Sequence, residues 1–126
     1  MQEFMFLIRN HGDGKKGMSE TDHLAFVKKC EVYIDKLKKE KRLLAAQPLV
    51  REGIILSGYP GEWNEKTVNA NNEIQVGYYH ILANDLADAV NVAKQNPEFE
   101  YVPNASIEVR PIKMKENTTG FVYPTK

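Results

Sequence analysis

Apolar residues occur along this chain in short groups separated by polar stretches rich in turn residues. The first group, residues 4–8, is continuously apolar, which is typical of a short buried strand. Ser19 then predicts the start of a helix, because Ser-x-x-Asp resembles a capping box with acidic residues in the first turn. The helix is expected to end near Lys41, and its apolar stripe consists of Leu24, Val27, Cys30, Ile34 and Leu37.

Strands dominate the middle of the chain. Residues 43–50 and 54–56 predict two short strands joined by a turn. Residues 59–72 are mostly polar and predict a long loop. Residues 73–83 are rich in β-branched and aromatic side chains and predict a further strand.

A second helix is expected directly after this strand, capped by Asn84 or Asp85 and stopped by Pro97. Residues 106–112 alternate between apolar and polar side chains and predict the last strand. Residues 113–126 are expected to form a polar C-terminal tail.

The predicted order of elements is strand, helix, strand pair, helix and strand, which indicates an α+β, ferredoxin-like split βαβ sandwich over residues 1–112. Two helices cover only one face of a four-stranded antiparallel sheet. In the first strand Phe4 and Phe6 lie on one face and Met5 and Leu7 on the other, so both faces are expected to be buried. Packing two sheets face to face in a symmetric homodimer, a dimeric α+β barrel, covers the second face.

The composition narrows the classes of function. The chain has 126 residues, which fits one domain, and its 17 basic and 17 acidic residues leave no net charge. A balanced charge argues against nucleic acid as the main ligand, because phosphate-binding domains are usually basic. Cys30 is the only cysteine, no secretion signal is evident, and no apolar run approaches the ~20 residues of a membrane helix. We therefore expect a cytoplasmic protein with neither nucleic acid nor a membrane as its partner.

Three segments of the sequence resemble a known family. They are FMFLIR in the first strand, KLKKEKRLLAAQPL at the exit of the first helix, and GYYHILANDLADAVNVAKQNPEFEYVPNASIEVRPI near the end. The last segment carries a Gly-Tyr strand, a Leu-x-x-Ala-Val-x-x-Ala helix, an acidic-Tyr step and a closing Glu-Val-Arg-Pro-Ile. On these residues the chain resembles the YCII-related proteins, specifically the DGPF branch, over roughly residues 1–112. The resemblance implies a dimeric α+β barrel, and it implies little about activity because most members have none assigned.

The resemblance transfers no catalytic residue. Smaller YCII-like proteins carry a histidine in the first helix, paired with an acidic residue, and Cys30 stands at that position here. The Asp-Gly-Pro-Phe motif of the branch is expected near residues 65–68 and is absent. Cys30 lies on the apolar stripe of its helix and is expected to be a small buried hydrophobic residue rather than a nucleophile.

One group of polar residues is the candidate site. If the first and third main strands are central and parallel, Arg9 and His80 emerge at the same edge of the sheet, and His11 and Asp13 follow Arg9 into the adjacent loop. A histidine beside a carboxylate and an arginine is suited to acid–base chemistry on a small acidic or phenolic molecule. His80 is the catalytic candidate and the other three are ligand-binding candidates. The alternative is a solvent-facing rim where polar residues collect.

Two aromatic residues complete the candidate site. Tyr78 shares a strand face with His80, and Trp63 lies in the long polar stretch, where it either caps a pocket or fixes the loop to the core. Glu108 and Arg110 also share a face and predict a structural ion pair across the dimer, with a substrate clamp as the alternative. The hypothesis is a barrel that binds a small anionic or aromatic molecule and acts by cofactor-free acid–base catalysis. The alternatives are a non-catalytic ligand-binding or regulatory subunit and a purely structural dimer module.

No cofactor or metal is expected. Residues 12–17 match the G-x-G-x-x-G pattern between a strand and a helix, but the predicted helix cap, Ser19, lies beyond the third glycine. A dinucleotide site needs the helix to begin within the motif, so that free N–H groups reach the pyrophosphate. The three histidines and one cysteine show no paired spacing typical of a metal site.

Overall fold

Six strands and three helices make up the part of the chain that the computed structural model describes, residues 1–11 and 18–124. In chain order they are β1 (Gln2–His11), α1 (Glu20–Lys39), β2 (Leu43–Pro48), β3 (Ile54–Tyr59), β4 (Glu62–Thr67), β5 (Glu73–Ala83), α2 (Leu86–Ala93), α3 (Glu98–Tyr101) and β6 (Ser106–Pro111). The protein is therefore an α+β protein built on antiparallel sheets. None of the described helices is long and apolar enough to cross a membrane.

The main sheet has four strands in the order β2-β5-β1-β6, and all neighbours are antiparallel. The central strands β1 and β5 pair from Gln2↔Ala83 to His11↔Glu73, with a register shift after Ile8. The prediction that these central strands are parallel is therefore wrong. The crossover through α1 leaves a gap between β1 and β2, and β5 fills that gap antiparallel to both.

The core lies between this sheet and the helices. Alternate residues of β1 and β5 are buried, and Phe4, Phe6 and Ile81 are at most 1% exposed. They pack against Tyr33 and Leu37 of α1 and against small residues of α2. The Tyr33 hydroxyl donates a hydrogen bond to the Val92 carbonyl at 2.8 Å, which ties α1 to α2.

Helix α1 begins where the sequence predicts, since the Ser19 hydroxyl accepts a hydrogen bond from the Asp22 N–H at 3.1 Å. Its packing face matches the predicted stripe only in part, because Ile34 and Leu37 pack against the core and the first residues of the stripe do not. Leu24 and Val27 are exposed, whereas Tyr33 is buried and its ring meets the Tyr79 ring edge-on. The buried face is rotated toward the aromatic residues because the sheet presents aromatic partners to the helix.

Strands β3 and β4 form a separate two-stranded sheet. The pair Tyr59↔Glu62 closes a hairpin over Pro60-Gly61, and every residue in both strands is exposed. Part of the predicted loop at residues 59–72 is therefore a strand, and residues 54–56 pair with it rather than with β2. Because neither face of the hairpin is buried, β4 lacks the alternation that would have predicted a strand.

Candidate functional site

One face of the main sheet points away from α1 and α2, and we call it the open face. Its side chains come from the positions that alternate with the buried ones. They are Glu3, Met5, Leu7 and Arg9 of β1, Tyr78, His80 and Leu82 of β5, and Glu108 and Arg110 of β6. The face thus combines an apolar and aromatic centre with ionisable groups.

A histidine–carboxylate pair lies on the open face. His80 Nε2 lies 2.6 Å from Glu3 Oε1, and the two side chains are 16% and 18% exposed. Antiparallel pairing explains the contact, because Glu3 is opposite Leu82 and therefore diagonal to His80. In the neutral ring this hydrogen bond places the proton on Nε2, which leaves Nδ1 as an acceptor. Such a pair is able to take a proton from a bound molecule and return it.

Arg9 lies on the same face as His80 but does not meet it. His80 is opposite Met5, whereas Arg9 is opposite Gln75, four residues along β1, which corresponds to about 13 Å. The expectation that Arg9 and His80 emerge together at one edge is therefore wrong, because it rested on parallel central strands. His80 is held by Glu3 instead.

Arg9 belongs to a second group of charges on the open face. Its Nη1 lies 3.9 Å from Glu108 Oε1, and Arg110 Nη1 lies 3.5 Å from Glu108 Oε2. Glu108 and Arg110 thus form an ion pair within the chain, and their predicted pairing across a dimer stays a prediction. Two guanidinium groups share one carboxylate, so this part of the open face carries excess positive charge.

The other predicted site residues are dispersed. Tyr78 lies on the open face opposite Leu7, and His11 is exposed at the end of β1 opposite Glu73. Asp13 lies outside the described residues. Trp63 is on β4 and is 58% exposed, so it does not fix the loop to the core.

Glu3 is the site residue that sequence reasoning missed. Its signal is present, since Glu3 alternates with Phe4 in the same pattern that places Arg9 on the open face. Only the antiparallel pairing of β1 with β5 brings it beside His80. The prediction took β1 and β5 to be parallel, and for that reason it did not place Glu3 beside His80.

Cys30 does not resemble a nucleophile. The thiol is half-buried on α1, and burial raises its pKa to about 11, with the nearby Glu98 and Glu31 charges adding to the effect. The thiol therefore stays protonated near neutral pH. Among the residues that the structure describes, no three histidine, cysteine or carboxylate side chains are grouped to hold a metal ion.

Comparison with known protein families finds no match for this chain, and comparison with curated proteins finds none either. The function proposed below therefore rests on the side chains of the open face and their surroundings.

Proposed function

We propose that this chain is a ferredoxin-like protein of the YCII-related type that forms a symmetric dimer through the open face. The strand order β2-β5-β1-β6, with α1 and α2 on one side, supports the split βαβ arrangement. The apolar centre of the open face, formed by Met5, Leu7, Tyr78 and Leu82, supports the dimer, because a second copy would remove it from water. The two sheets would then form the walls of an α+β barrel.

The proposed activity is cofactor-free acid–base chemistry on a small anionic or aromatic molecule held between the two sheets. The observation that carries it is the 2.6 Å contact between His80 and Glu3 on the face that points away from α1 and α2. His80 is the proposed catalytic residue and accepts a proton at Nδ1. Glu3 is a positioning residue that fixes the ring and stabilises the imidazolium that forms.

The preference for an anion follows from the charges around Glu108. Arg9 and Arg110 both approach this single carboxylate, and their excess positive charge attracts an anionic group. Tyr78 and the apolar centre offer a surface for an aromatic ring. The chemistry needs no group beyond the residues of the chain.

Phenylpyruvate, which is both anionic and aromatic, tests this proposal. His80 Nδ1 is expected to take the proton of the enol hydroxyl and then, as the imidazolium, to return this proton to the adjacent carbon, which gives the keto form. Ultraviolet absorbance follows the loss of the enol, and His80→Gln is expected to lower the acceleration by about 100-fold or more. Glu100→Gln is the control, because Glu100 is exposed on α3, away from the open face, and this variant should retain most of the activity.

Nitrogen NMR of the His80 ring tests the role of Glu3 without a substrate. The neutral ring should carry its proton on Nε2, and Glu3→Ala should remove this preference while Glu108→Gln preserves it.

No acceleration of phenylpyruvate enol loss by the folded protein would remove the acid–base proposal. Binding of phenylpyruvate without turnover would favour the non-catalytic ligand-binding alternative.

A further inference from the structure

A cavity of about 500 Å³ lies on the helix side of the main sheet, away from the open face, and we call it the Glu98 cavity. Its wall is mostly apolar and contains four polar residues, Asn10, His23, Arg51 and Glu98. The apolar wall is formed mainly by Met18, Phe26, Leu49, Val50, Val76 and Val102. A cavity of this size, with a few converging polar groups, is typical of a site for a small molecule.

Asn10 and Arg51 form the part of the cavity that is already bonded. Asn10 is 2% exposed at the end of β1, where the alternation of the strand would otherwise place an apolar residue. Its Oδ1 accepts hydrogen bonds from Arg51 Nη1 and Nη2 at 3.2 and 3.3 Å. The guanidinium is thus hydrogen-bonded within the protein, and it holds the residues after β2 against the sheet.

Glu98 is in the opposite situation. Its backbone N–H donates to Asn96 Oδ1 at 2.9 Å, which fixes the residue at the start of α3. Within residues 1–11 and 18–124, its carboxylate makes no hydrogen bond or ion pair. Burial raises the pKa of this carboxyl, and the nearby Arg51 charge only partly opposes the shift. A carboxylate that is largely removed from water without a partner destabilises the fold.

His23 supplies a second unsatisfied group in the same cavity. Its Nδ1 is buried and has no hydrogen-bond partner among the described residues. Buried polar atoms are nearly always bonded in folded proteins, so each exception calls for an explanation. Here this buried ring nitrogen from α1 and the half-buried Glu98 carboxylate from α3 line one cavity, and a single ligand that donates hydrogen bonds would satisfy both.

We propose that the Glu98 cavity binds a small organic amine with an apolar or aromatic body. The ammonium pairs with the Glu98 carboxylate and donates a hydrogen bond to His23 Nδ1, and the body lies against Phe26 and the neighbouring apolar wall. A cation is favoured over an anion because Arg51 already donates from both Nη1 and Nη2 to Asn10, whereas the Glu98 carboxylate keeps its acceptor oxygens for a ligand. The site is separate from the open face and does not rest on the function proposed for it.

Three probes of matched shape test the proposal by calorimetry on the full chain at pH 7. Phenethylamine should bind saturably, at least tenfold more tightly than the neutral 2-phenylethanol or the anionic 3-phenylpropionate. Glu98→Gln should weaken phenethylamine binding at least tenfold. Glu100→Gln is the matched control, because Glu100 lies on the same short helix, is exposed and pairs with Lys29 at 2.6 Å instead.

Several results would overturn the proposal. The first is the absence of saturable phenethylamine binding up to about 10 mM, which corresponds to a binding free energy weaker than about −3 kcal/mol. Equal affinity for 2-phenylethanol, or tighter binding of 3-phenylpropionate, would also contradict it. So would a Glu98→Gln variant that binds phenethylamine as tightly as the wild type.

The melting temperature of the protein without ligand gives an independent check. Since the fold disfavours the ionised carboxyl, Glu98→Gln should leave the melting temperature at pH 7 unchanged or raised. A clear fall would mean that the carboxylate has a structural partner, and it would also contradict the proposal.

Discussion

Replacing Leu7 by glutamate is expected to convert the proposed dimer into a folded monomer of 14.4 kDa. Leu7 lies at the centre of the open face, between Tyr78 of β5 and Glu108 of β6. In the proposed dimer the new carboxylate would be buried without a partner and close to an existing acidic residue, which costs several kcal/mol. Because the same position faces solvent in the monomer, the chain should still fold. Sedimentation velocity at micromolar concentration measures the change.

Val32→Glu is the matched control for this substitution. Val32 lies on α1, on the side of the protein opposite the open face, and is 68% exposed. This variant should keep the sedimentation coefficient of the wild type, at about twice the monomer mass. A wild-type protein that sediments as a monomer, or a Leu7→Glu variant that stays dimeric, would contradict an interface on the open face.

Replacing Phe6 by alanine is expected to lower the free energy of unfolding by about 3–5 kcal/mol. Phe6 is 0% exposed at the centre of β1, and its ring centroid lies 6.3 Å from that of Tyr79 on the neighbouring strand. Its removal leaves a cavity between the sheet and both helices, and packed side chains on three sides limit collapse into it. Urea denaturation at one fixed protein concentration measures the loss, since the proposed dimer would make stability depend on concentration.

Phe99→Ala serves as the control for the core substitution. Phe99 is 48% exposed on the short helix α3, so its removal should lower the free energy of unfolding by less than about 1 kcal/mol. A loss below 1 kcal/mol for Phe6→Ala would show that the sheet and helices repack around the missing ring. The core would then be more deformable than its packing indicates.

Local signals in the sequence predicted the order of the elements well. Ser19 caps α1 as its hydroxyl and the following acidic residues indicate, and Asp85 caps α2. These signals act over three or four residues, so the sequence contains them in full. The direction of strand pairing is different, because it depends on how the crossover through α1 returns to the sheet. Because the central strands were predicted to be parallel, His80 was grouped with Arg9 rather than with Glu3.

The second source of error was the choice of which residues of α1 face the core. The stripe predicted for α1 included Leu24 and left out Tyr33, yet Leu24 is exposed and Tyr33 is buried. Which side of an amphipathic helix is buried depends on the partner surface, here the aromatic ring of Tyr79. Likewise, the cavity around Glu98 joins residues from β1, α1 and α3 that are far apart in sequence. No spacing rule could have grouped them.

The hairpin of β3 and β4 has a consequence for how this chain varies in length. Its strands pair only with each other, and both ends return to the main sheet at neighbouring positions of β2 and β5, where Pro48 is opposite Gly77. The pair Ile54↔Thr67 forms the base of the hairpin. Residues added or removed beyond this pair, toward the tip, therefore leave the register of the four central strands intact. In related chains, insertions and deletions are thus expected to accumulate in this hairpin rather than in the four central strands that carry His80.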